Sequence, residues 1–459
     1  MSAISMSDTW KEFRKSKMGI AGLAVLAILA GVSIVALATV PLDTFKQWHN
    51  PSQWTSFPRA AQPAWTNLFA GEKLPEHIIL HNPEVSEQRS DGIKTITHAY
   101  TFDYGYDDFP NDFMFKFDTR YQSTTPPLLQ LAVSRPDGDD FELARISLPS
   151  SQEAEYEYSS TIFSTDSVVK NSIANYLPGY RHPLDQSQPE VVVFSSKDEL
   201  AVLKGAYKLS ATFFLFDDAD EVTGSNMIIG GKVYGLLGTD ELRRDLSIGI
   251  VWGAPLALFI GVSVASISVI IGMIYGVISG YRGGNADEAM MRANDVIYAL
   301  PALPVLILLA VSIGKSIFLI VGYLIIFGWV GIAKISRSMA LQIKNLQYIE
   351  AAELMGQSNT RIIMKHIMPQ LLPYTFAAIA ISVPGAIITE AGLSFLGLGD
   401  PTLPTWGQLL HDANVYGASA RGLWWWIVPP GLMIALTGLA FVLIGTALDA
   451  IVNPKMKKL

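Results

Sequence analysis

Apolar residues in this chain are concentrated in six long runs, and five of these follow residue 248. The first run, residues 19–40, would be about 33 Å long as an α-helix, which is enough to cross the hydrocarbon core of a bilayer. It exceeds the roughly 7–15 apolar residues of a signal peptide, so we expect an uncleaved anchor, although Ala36-Leu37-Ala38 has the form of a cleavage site. The other predicted spans are residues 249–278, 296–313, 316–333, 374–397 and 425–451.

A different pattern occupies the region between the first and second spans. Short runs there alternate apolar and polar residues or are rich in β-branched and aromatic residues, which is typical of half-buried strands. Turn signals such as Pro136-Asp137-Gly138 separate the runs, and none is long enough to cross a membrane. These runs are residues 94–103, 113–117, 141–148, 191–194 and 207–216.

The predicted fold class is an α-helical polytopic membrane protein with six transmembrane helices and an inserted all-β domain, a sandwich outside the membrane. Residues 1–41 would hold a cytoplasmic N-terminus and the first transmembrane helix, residues 42–231 the extracytoplasmic domain, and residues 232–459 a core of five helices. The composition agrees, because half of the 459 residues are hydrophobic, 16% are charged, and the mean hydropathy is +0.31.

Charge divides the chain in the same way. Residues 43–231 hold 27 acidic and 14 basic residues, a net charge of −13, whereas the remainder has a net charge of +5. An acidic domain on a basic membrane core makes nucleic acid an unexpected partner. The chain has no cysteine, which excludes disulfides and thiolate metal sites.

The loop charges predict the orientation of the spans. Cations are enriched on the cytoplasmic side of membrane proteins, and six spans with a basic N-terminus inside would return the C-terminus to the same side. The predicted outer loops between the later spans hold only Lys315 and Arg421. The predicted inner cations are Arg282, Arg292, Lys334, Arg337, Lys344, Arg361, Lys365, Lys455, Lys457 and Lys458.

A polar segment at residues 350–369 lies between two of the apolar runs. Ala351 and Ala352, which follow Glu350, are strong helix formers whose small side chains would let another protein approach the backbone. Gly356 can end this helix in a left-handed conformation, and Ser358 or Asn359 can cap the next one. Arg361 and Lys365, one turn apart, would place positive charge on one face, and Pro369 is predicted to stop the second helix.

This segment resembles the coupling loop of ATP-binding-cassette import permeases, whose pattern is Glu-Ala-Ala, three residues, Gly, and later Leu-Pro. Here the last pair is Met368-Pro369. The resemblance implies a cytoplasmic coupling loop over residues 340–372 that sits in a groove of a separate ATPase. Glu350, Ala351, Ala352, Gly356, Arg361, Lys365 and Pro369 are the residues that it assigns to ATPase coupling.

A second match lies at the end of the fifth run, residues 374–397. Residues 390–399 read Glu-Ala-Gly-Leu-Ser-Phe-Leu-Gly-Leu-Gly and are followed by Pro404-Thr405-Trp406-Gly407, which resembles the signature of dipeptide and oligopeptide permeases. A carboxylate within a span is costly, so we expect Glu390 to face the bundle interior or a wet cavity. Glu390 and Ser394 are candidates for lining the transport path, and a structural pair across helices is the alternative.

Residues 238–245 precede the second span and read Gly-Thr-Asp-Glu-Leu-Arg-Arg-Asp. They resemble the Gly-Thr-Asp-x-x-Gly-Arg-Asp stretch of peptide-type permeases, with Arg243 at the position where that family has Gly. Asp240, Arg244 and Asp245 are candidates for an outer gate or docking surface, and an ordinary interfacial cap is the alternative.

Two other chemistries are not expected. Gly314-Lys315-Ser316 lacks the earlier glycine of a phosphate-binding loop, since position 309 is Leu, so this chain is not predicted to hydrolyse ATP. His77 and His81 lie four residues apart with no third ligand evident, so neither a metal nor another cofactor is predicted.

Together the resemblances imply a type I permease fold and the C-type permease subunit of a peptide-family importer. The implied partners are a homologous permease, two ATPase subunits, an extracytoplasmic solute-binding protein and the lipid bilayer of the cell membrane. Two alternatives stay open: a membrane-anchored receptor that reads solute through the β domain, and an ion-coupled secondary transporter. The substrate is also open among peptides, oligosaccharides and metal complexes.

Overall fold

The computed structural model describes residues 6–39, 47–90, 92–121, 125–150 and 156–452. The chain divides into two compact units. A helical unit comprises Met1–His49 and Ile248–Leu459, and a β-rich unit comprises Asn50–Ser247. The predicted domain at residues 42–231 corresponds to the β-rich unit, which starts and ends later in the chain.

The chain begins with helices α1 (Met6–Phe13) and α2 (Lys17–Thr39). Ser16 caps α2, because its hydroxyl accepts a hydrogen bond from the Gly19 amide at 3.1 Å. The bounds of α2 agree with the first predicted span. The short helix α3 (Pro51–Trp54) opens the β-rich unit.

Nine strands form two antiparallel sheets in the described part of the β-rich unit. One sheet has the order β1-β9-β4-β7 and the other the order β2-β3-β8-β5-β6. Alternating side chains from the inner faces, such as Phe115, Phe117, Leu131 and Phe213, form a common buried core, as expected of a sandwich. The strands are β1 (Ile78–Leu80), β2 (Glu84–Ser90), β3 (Ile93–Tyr104), β4 (Asp112–Tyr121), β5 (Leu128–Ser134), β6 (Asp140–Ser147), β7 (Tyr156–Phe163), β8 (Gly205–Leu215) and β9 (Glu221–Gly230).

The unit is not all-β, because helices α4 (Ser167–Ala174) and α5 (Pro189–Phe194) lie between β7 and β8. The prediction of a strand over residues 191–194 is therefore wrong. Pro189 has the fixed φ angle that favours the first turn of a helix, and Val192, Val193 and Phe194 are buried on the core. Tertiary packing overrides the β preference of these residues.

Arg135 anchors α5 to the turn between β5 and β6. Its buried guanidinium donates to the Val192 carbonyl at 3.1 Å and to the Ser195 carbonyl at 2.7 Å. The same group pairs with Asp137 at 2.9 Å and stacks 4.8 Å from the Phe141 ring. These hydrogen bonds satisfy backbone carbonyl groups at the end of α5. In a strand, the same carbonyl groups would be paired with a neighbouring strand of the sheet.

Glu190, in the first turn of α5, makes the stability of the β-rich unit pH-dependent. Burial raises the pKa of this carboxyl to about 7, and its Oε2 receives no hydrogen bond from any described residue. Because the folded pKa lies above the unfolded one, the contribution to stability is present in full below the unfolded pKa and is lost as the pH rises to about 7. We expect the protection factors of the α5 amides, which are corrected for the pH dependence of intrinsic exchange, to be larger at pH 5 than at pH 8, and Glu190→Gln to reduce this difference. An unchanged difference in the variant would contradict this assignment.

The helical unit continues after the β-rich unit with ten helices among the described residues: α6 (Leu246–Arg282), α7 (Gly284–Ala299), α8 (Ala302–Ile313), α9 (Ile317–Gly328), α10 (Val330–Lys344), α11 (Gln347–Leu354), α12 (Asn359–Ile362), α13 (Met368–Phe395), α14 (Trp406–Val415) and α15 (Trp424–Val452). In this described part of the chain, five continuous helices have the length and apolarity to cross a membrane, and the bent pair α7–α8 makes a sixth if both belong to one span. The five are Lys17–Thr39, Leu246–Arg282, Ile317–Lys344, Asn359–Phe395 and Trp424–Ile451.

The predicted span over residues 296–313 is not one continuous helix. α7 and α8 meet at an angle of 77°, with Pro301 at the break. A proline disfavours the helical conformation of the residue before it, and Leu300 is accordingly extended. Apolar length alone did not reveal that the run contains two helices in different directions.

Candidate functional site

The 350–369 segment contains most of the short helix α11 and the start of a long helix, joined by a glycine turn. α11 ends at Leu354, and Gly356 follows with a φ angle of +77°, the left-handed conformation that glycine adopts without strain. The Ser358 hydroxyl then accepts a hydrogen bond from the Arg361 amide at 3.4 Å and caps α12. Both local features agree with the sequence prediction.

The two alanines of this segment face opposite ways. Ala352 is buried with Ile349 in a cluster formed by this chain itself, whereas Ala351 is exposed together with Glu350. The small side chain at position 352 therefore allows close packing within the unit. Only the outward face of α11, which includes Ala351, is open to another protein.

Two large apolar side chains at the turn are exposed and were not identified in the sequence. Leu354 is 84% exposed and Met355 is 73% exposed, directly before Gly356. Arg361 and Lys365 are also exposed. Apolar side chains this exposed at a rigid turn, with cations beside them, are typical of a surface that a partner covers. The sequence contained one sign of this exposure, because both residues directly precede the glycine turn.

Residues of α6 contact the buried side of the 350–369 segment. The Tyr281 hydroxyl donates to Glu353 Oε1 at 2.9 Å, and Lys344 Nζ donates to the Tyr281 carbonyl at 2.6 Å. Buried side chains from the start and end of the segment, Ile349 and Ile367, share one cluster with Val277 of α6. These contacts join the 350–369 segment to the long helix α6.

Pro369 does not stop a helix, which corrects the sequence prediction. It is the second residue of α13, and the helix from Asn359 continues through it to Phe395. A π-helical turn at Ile363–Ile367 precedes it. The wider turn changes the hydrogen-bonding register, so the missing N–H and the ring of the proline are accommodated.

Glu390 lies inside the bundle, as expected for a carboxylate in a span, and is 4% exposed. The Ser394 hydroxyl donates to its Oε1 at 2.6 Å, and the Thr405 side chain is also hydrogen-bonded to it. Thr405 in turn caps α14, accepting from the Gln408 amide at 3.2 Å. The geometry therefore makes Glu390 a brace between α13 and α14, as in the structural alternative.

Trp406 completes this brace. Its side chain is buried, and its indole Nε1 donates to the Ile250 carbonyl of α6 at 3.0 Å. Gly253, one turn further along α6, lies against the indole ring, where a Cβ atom would be 2.2 Å from the nearest ring atom. The signature at residues 390–407 thus fixes the packing of three helices.

Asp240 and Arg244 form a buried pair before α6. Arg244 Nε lies 2.5 Å from Asp240 Oδ2, and their side chains are 1% and 0% exposed, respectively. Asp245 Oδ1 accepts from the Ser247 amide at 2.8 Å, and burial raises the pKa of the Asp245 carboxyl. Asp240 and Arg244 are buried and Asp245 is partly buried, and the contacts of all three stabilise this turn.

Arg243 adopts the left-handed conformation although it is not glycine, with a φ angle of +66°. The left-handed turn that a glycine would allow at this position therefore forms here with an arginine. The side chain pairs with Asp112 of β4, donates to the Phe57 carbonyl at 2.8 Å and lies over the Phe163 ring. These contacts attach the turn to the β sandwich and offset the backbone strain.

Comparison with known families identifies two matching regions. Residues 268–458 match the family described as "binding-protein-dependent transport system inner membrane component". Residues 5–54 match the "N-terminal TM domain of oligopeptide transport permease C". The two family models leave residues 55–267, which include the strands of the β-rich unit, unmatched.

Individual relatives are similar over about half of this chain. The oligopeptide transport system permease protein OppC of Bacillus subtilis is 39% identical over 223 residues, which are 48% of this chain and 72% of the relative. The dipeptide transport system permease protein DppC of the same organism is 40% identical, covering 48% and 69%. The glutathione transport system permease protein GsiD of Pectobacterium atrosepticum is 34% identical, covering 48% and 73%.

Among solved structures, the inward-facing MetNI methionine ABC transporter is similar to 45% of this chain and 95% of the matched chain. The sequence identity is 20% and the TM-score is 0.37.

Proposed function

Because this chain belongs to the peptide-type permease subunits of binding-protein-dependent ABC importers, we propose that it moves di- or oligopeptides across the cell membrane as one half of a shared pore. A homologous permease would supply the other half, and ATP hydrolysis would take place on separate ATPase subunits. The oligopeptide, dipeptide and glutathione permeases among its relatives support a peptide substrate.

The observation that carries this proposal is the exposed turn at Leu354, Met355 and Gly356. These residues project next to the exposed Arg361 and Lys365, while Ala352 and Ile349 anchor the same turn in the helical unit. A docking element needs both properties, because it must contact a partner on one side and transmit force on the other. The 350–369 segment is therefore proposed as the surface that the ATPase binds.

The proposed topology places this segment and both termini in the cytoplasm. The bent α7–α8 pair would count as one of six spans, and the β-rich unit between α2 and α6 would then lie outside the membrane. The loop cations support this, since Arg337, Lys344, Arg361 and Lys365 lie on the proposed inner side. A solute-binding protein would deliver the peptide on the outer side.

The proposed mechanism is alternating access. Closure of the two ATPases on ATP would draw their bound 350–369 segments together, and the Tyr281 and Val277 contacts would pass this movement to α6. The pore would open outward when the ATPases close and inward after hydrolysis. In this scheme ATP binding shifts the population between two states, because the ATPases bind the 350–369 segments differently in each state.

Gly356→Val tests the proposed docking surface. A β-branched residue in the left-handed conformation is strained, so the turn should change shape and weaken ATPase binding. We expect peptide uptake by the reconstituted importer to fall at least tenfold, with reduced copurification of the ATPase subunits. Gly417→Val is the matched control, since Gly417 also has a positive φ and open space around it but lies in the proposed outer loop between α14 and α15.

The result that would count against the proposal is equal uptake and equal ATPase copurification for both glycine variants. A second variant, Leu354→Ser with Met355→Ser, removes the exposed apolar surface without changing the turn. It should be inserted in the membrane at normal levels but should bind the ATPase more weakly.

A further inference from the structure

The β-rich unit contains a cleft of about 450 Å³ between its two sheets, lined by residues of β2, β3 and β9. This volume falls within the range of roughly 300–1,000 Å³ that ligand sites occupy. The cleft exists because the sandwich is incomplete at this edge. β1 pairs with β9 only over Ile78–Leu80, and β2 extends past it from the opposite sheet.

One wall of the cleft is an open strand edge. Among the described strands, β4 is the sole neighbour of β9 over Glu221–Asn226, because β1 pairs with β9 only at Met227–Ile229. The Gly230 carbonyl accepts a hydrogen bond from the Asn111 amide next to β4, so the backbone carbonyl of Gly230 points toward β4. Alternate residues of a strand direct their backbone groups to opposite sides, and Ser225 is an odd number of residues away from Gly230. The backbone N–H and C=O of Ser225 therefore point to the open edge.

The opposite wall comes from β2, whose residues are all exposed. Val85 and Glu87 line the cleft, and Ile96 of β3 and Val222 of β9 add to its apolar lining. Glu87 contacts Arg89 at 3.3 Å, but this pair is exposed and therefore weak. The carboxylate thus remains available to a cation that enters the cleft.

The floor of the cleft is a buried polar group. Ser225 Oγ lies 2.6 Å from both His98 Nδ1 and the Tyr100 hydroxyl. Burial lowers the pKa of His98, which keeps its ring neutral at pH 7 and suited to hydrogen bonding without a counter-ion. At the end of the cleft, His81 Nδ1 lies 3.0 Å from Asn226 Oδ1 and marks the point where β1 stops.

We infer that this cleft binds a short extended peptide, which adds a strand to β9 beyond the end of β1 and places its ammonium group at Glu87. An extended peptide supplies the backbone N–H and C=O groups that an open strand edge lacks, and alternate side chains can enter the apolar part of the cleft. The bound species is the free peptide cargo, so the inference rests on the proposed function and specifies a second place where the substrate is held.

The test uses the full-length permease in lipid nanodiscs without ATPases or binding protein. The probe is a tetrapeptide of alternating alanine and valine, with a free amino terminus and a fluorescein at its C-terminus, and binding is followed by fluorescence anisotropy. We expect Glu87→Gln to weaken binding by about tenfold, because a charge-assisted hydrogen bond is lost. The N-acetylated probe should bind the two proteins equally.

Glu84→Gln is the matched control. Glu84 is on the same strand and is equally exposed, but it is not among the residues that line the cleft. A second variant, Val85→Trp, fills the cleft from an exposed position and should weaken binding of both probes, while circular dichroism and the melting temperature stay unchanged.

Absence of probe binding by the unmodified permease would overturn the inference, and so would equal losses for Glu87→Gln and Glu84→Gln. Cleft variants that weaken binding of the solute-binding protein and not of the probe would also overturn it. These failures are separate from a failure of the proposed function. Uptake that depends on Gly356 without probe binding would reject only the cleft, and probe binding without ATPase copurification would reject only the permease proposal.

Discussion

Asp240→Ala is expected to lower the free energy of unfolding of the β-rich unit by about 3–5 kcal/mol, since it breaks a fully buried ion pair. Asp240 Oδ2 accepts from Arg244 Nε at 2.5 Å, and Oδ1 accepts from the Arg244 amide at 2.8 Å. Removal of the carboxylate takes this ion pair away from the buried Arg244 guanidinium in the turn that leads into α6. Hydrogen exchange over residues 50–247 and urea unfolding of the full chain measure this loss.

The matched control for this variant is Asp198→Ala. Asp198 pairs with Arg181 at 2.8 Å, but their side chains are 71% and 79% exposed, so the cost should be at most about 1 kcal/mol. Equal costs for the two variants would contradict the structural role of Asp240. A loss of transport without a loss of stability would instead favour the outer gate that the sequence predicted for Asp240, Arg244 and Asp245.

Gly276→Ala is expected to reduce the stability of the helical unit by about 1–3 kcal/mol or more, as overpacking of a core does. A Cβ atom at this position of α6 would lie 2.2 Å from the Ala333 carbonyl oxygen and 2.8 Å from the Arg337 amide nitrogen of α10. Both are backbone atoms, so no side chain can rotate away and the two helices must separate. The melting temperature in nanodiscs should fall, and Gly276→Leu should prevent recovery of folded protein.

The control for this variant is Gly331→Ala. Gly331 lies in α10 with open space where its Cβ would be, and alanine is the better helix former by about 1 kcal/mol. This variant should therefore be neutral or slightly stabilising. A similar loss of stability in both variants would indicate that helix propensity, and not the close approach of α6 and α10, decides the result.

Separation of these helices should also affect coupling. α6 carries Tyr281, whose hydroxyl bonds to Glu353 in the 350–369 segment, and Asp287 of α7 pairs with Arg337 of α10 at 2.5 Å. Folded Gly276→Ala protein should consequently show weaker coupling of ATP hydrolysis to uptake. The ratio of peptide taken up to ATP hydrolysed, measured on the reconstituted importer, checks this expectation.

Much of the secondary structure could be predicted from periodicity, because the signal is carried by many residues at once. The runs at residues 113–117, 141–148 and 207–216 are strands, and the first apolar run is one helix. Three errors in the secondary structure came from stretches with a proline: the strand at residues 191–194, the unbroken span across Pro301 and the helix end at Pro369. At Val191–Phe194 and at Pro301 the outcome depended on local backbone geometry and on tertiary partners such as Arg135.

The candidate site shows the same difference between features that depend on neighbouring residues and features that depend on distant ones. Gly356 and Ser358 were predicted correctly, because a left-handed turn and a helix cap depend on the residue itself and its immediate neighbours. The direction in which each side chain points was not predictable. The burial of Ala352 and the exposure of Leu354 depend on where the neighbouring helices pack.

The sequence by itself therefore determined the number and type of most secondary-structure elements and the positions of the apolar spans. It also determined which residues can form a turn or cap a helix. Each of these features depends on side chains that are close in sequence. Only the folded chain decided that Glu390 braces two helices, that Asp240 and Arg244 are turned inward, and that β9 has an open edge beside Glu87. These features arise from contacts between residues far apart in sequence, and no local pattern specifies which of several compatible partners a side chain meets.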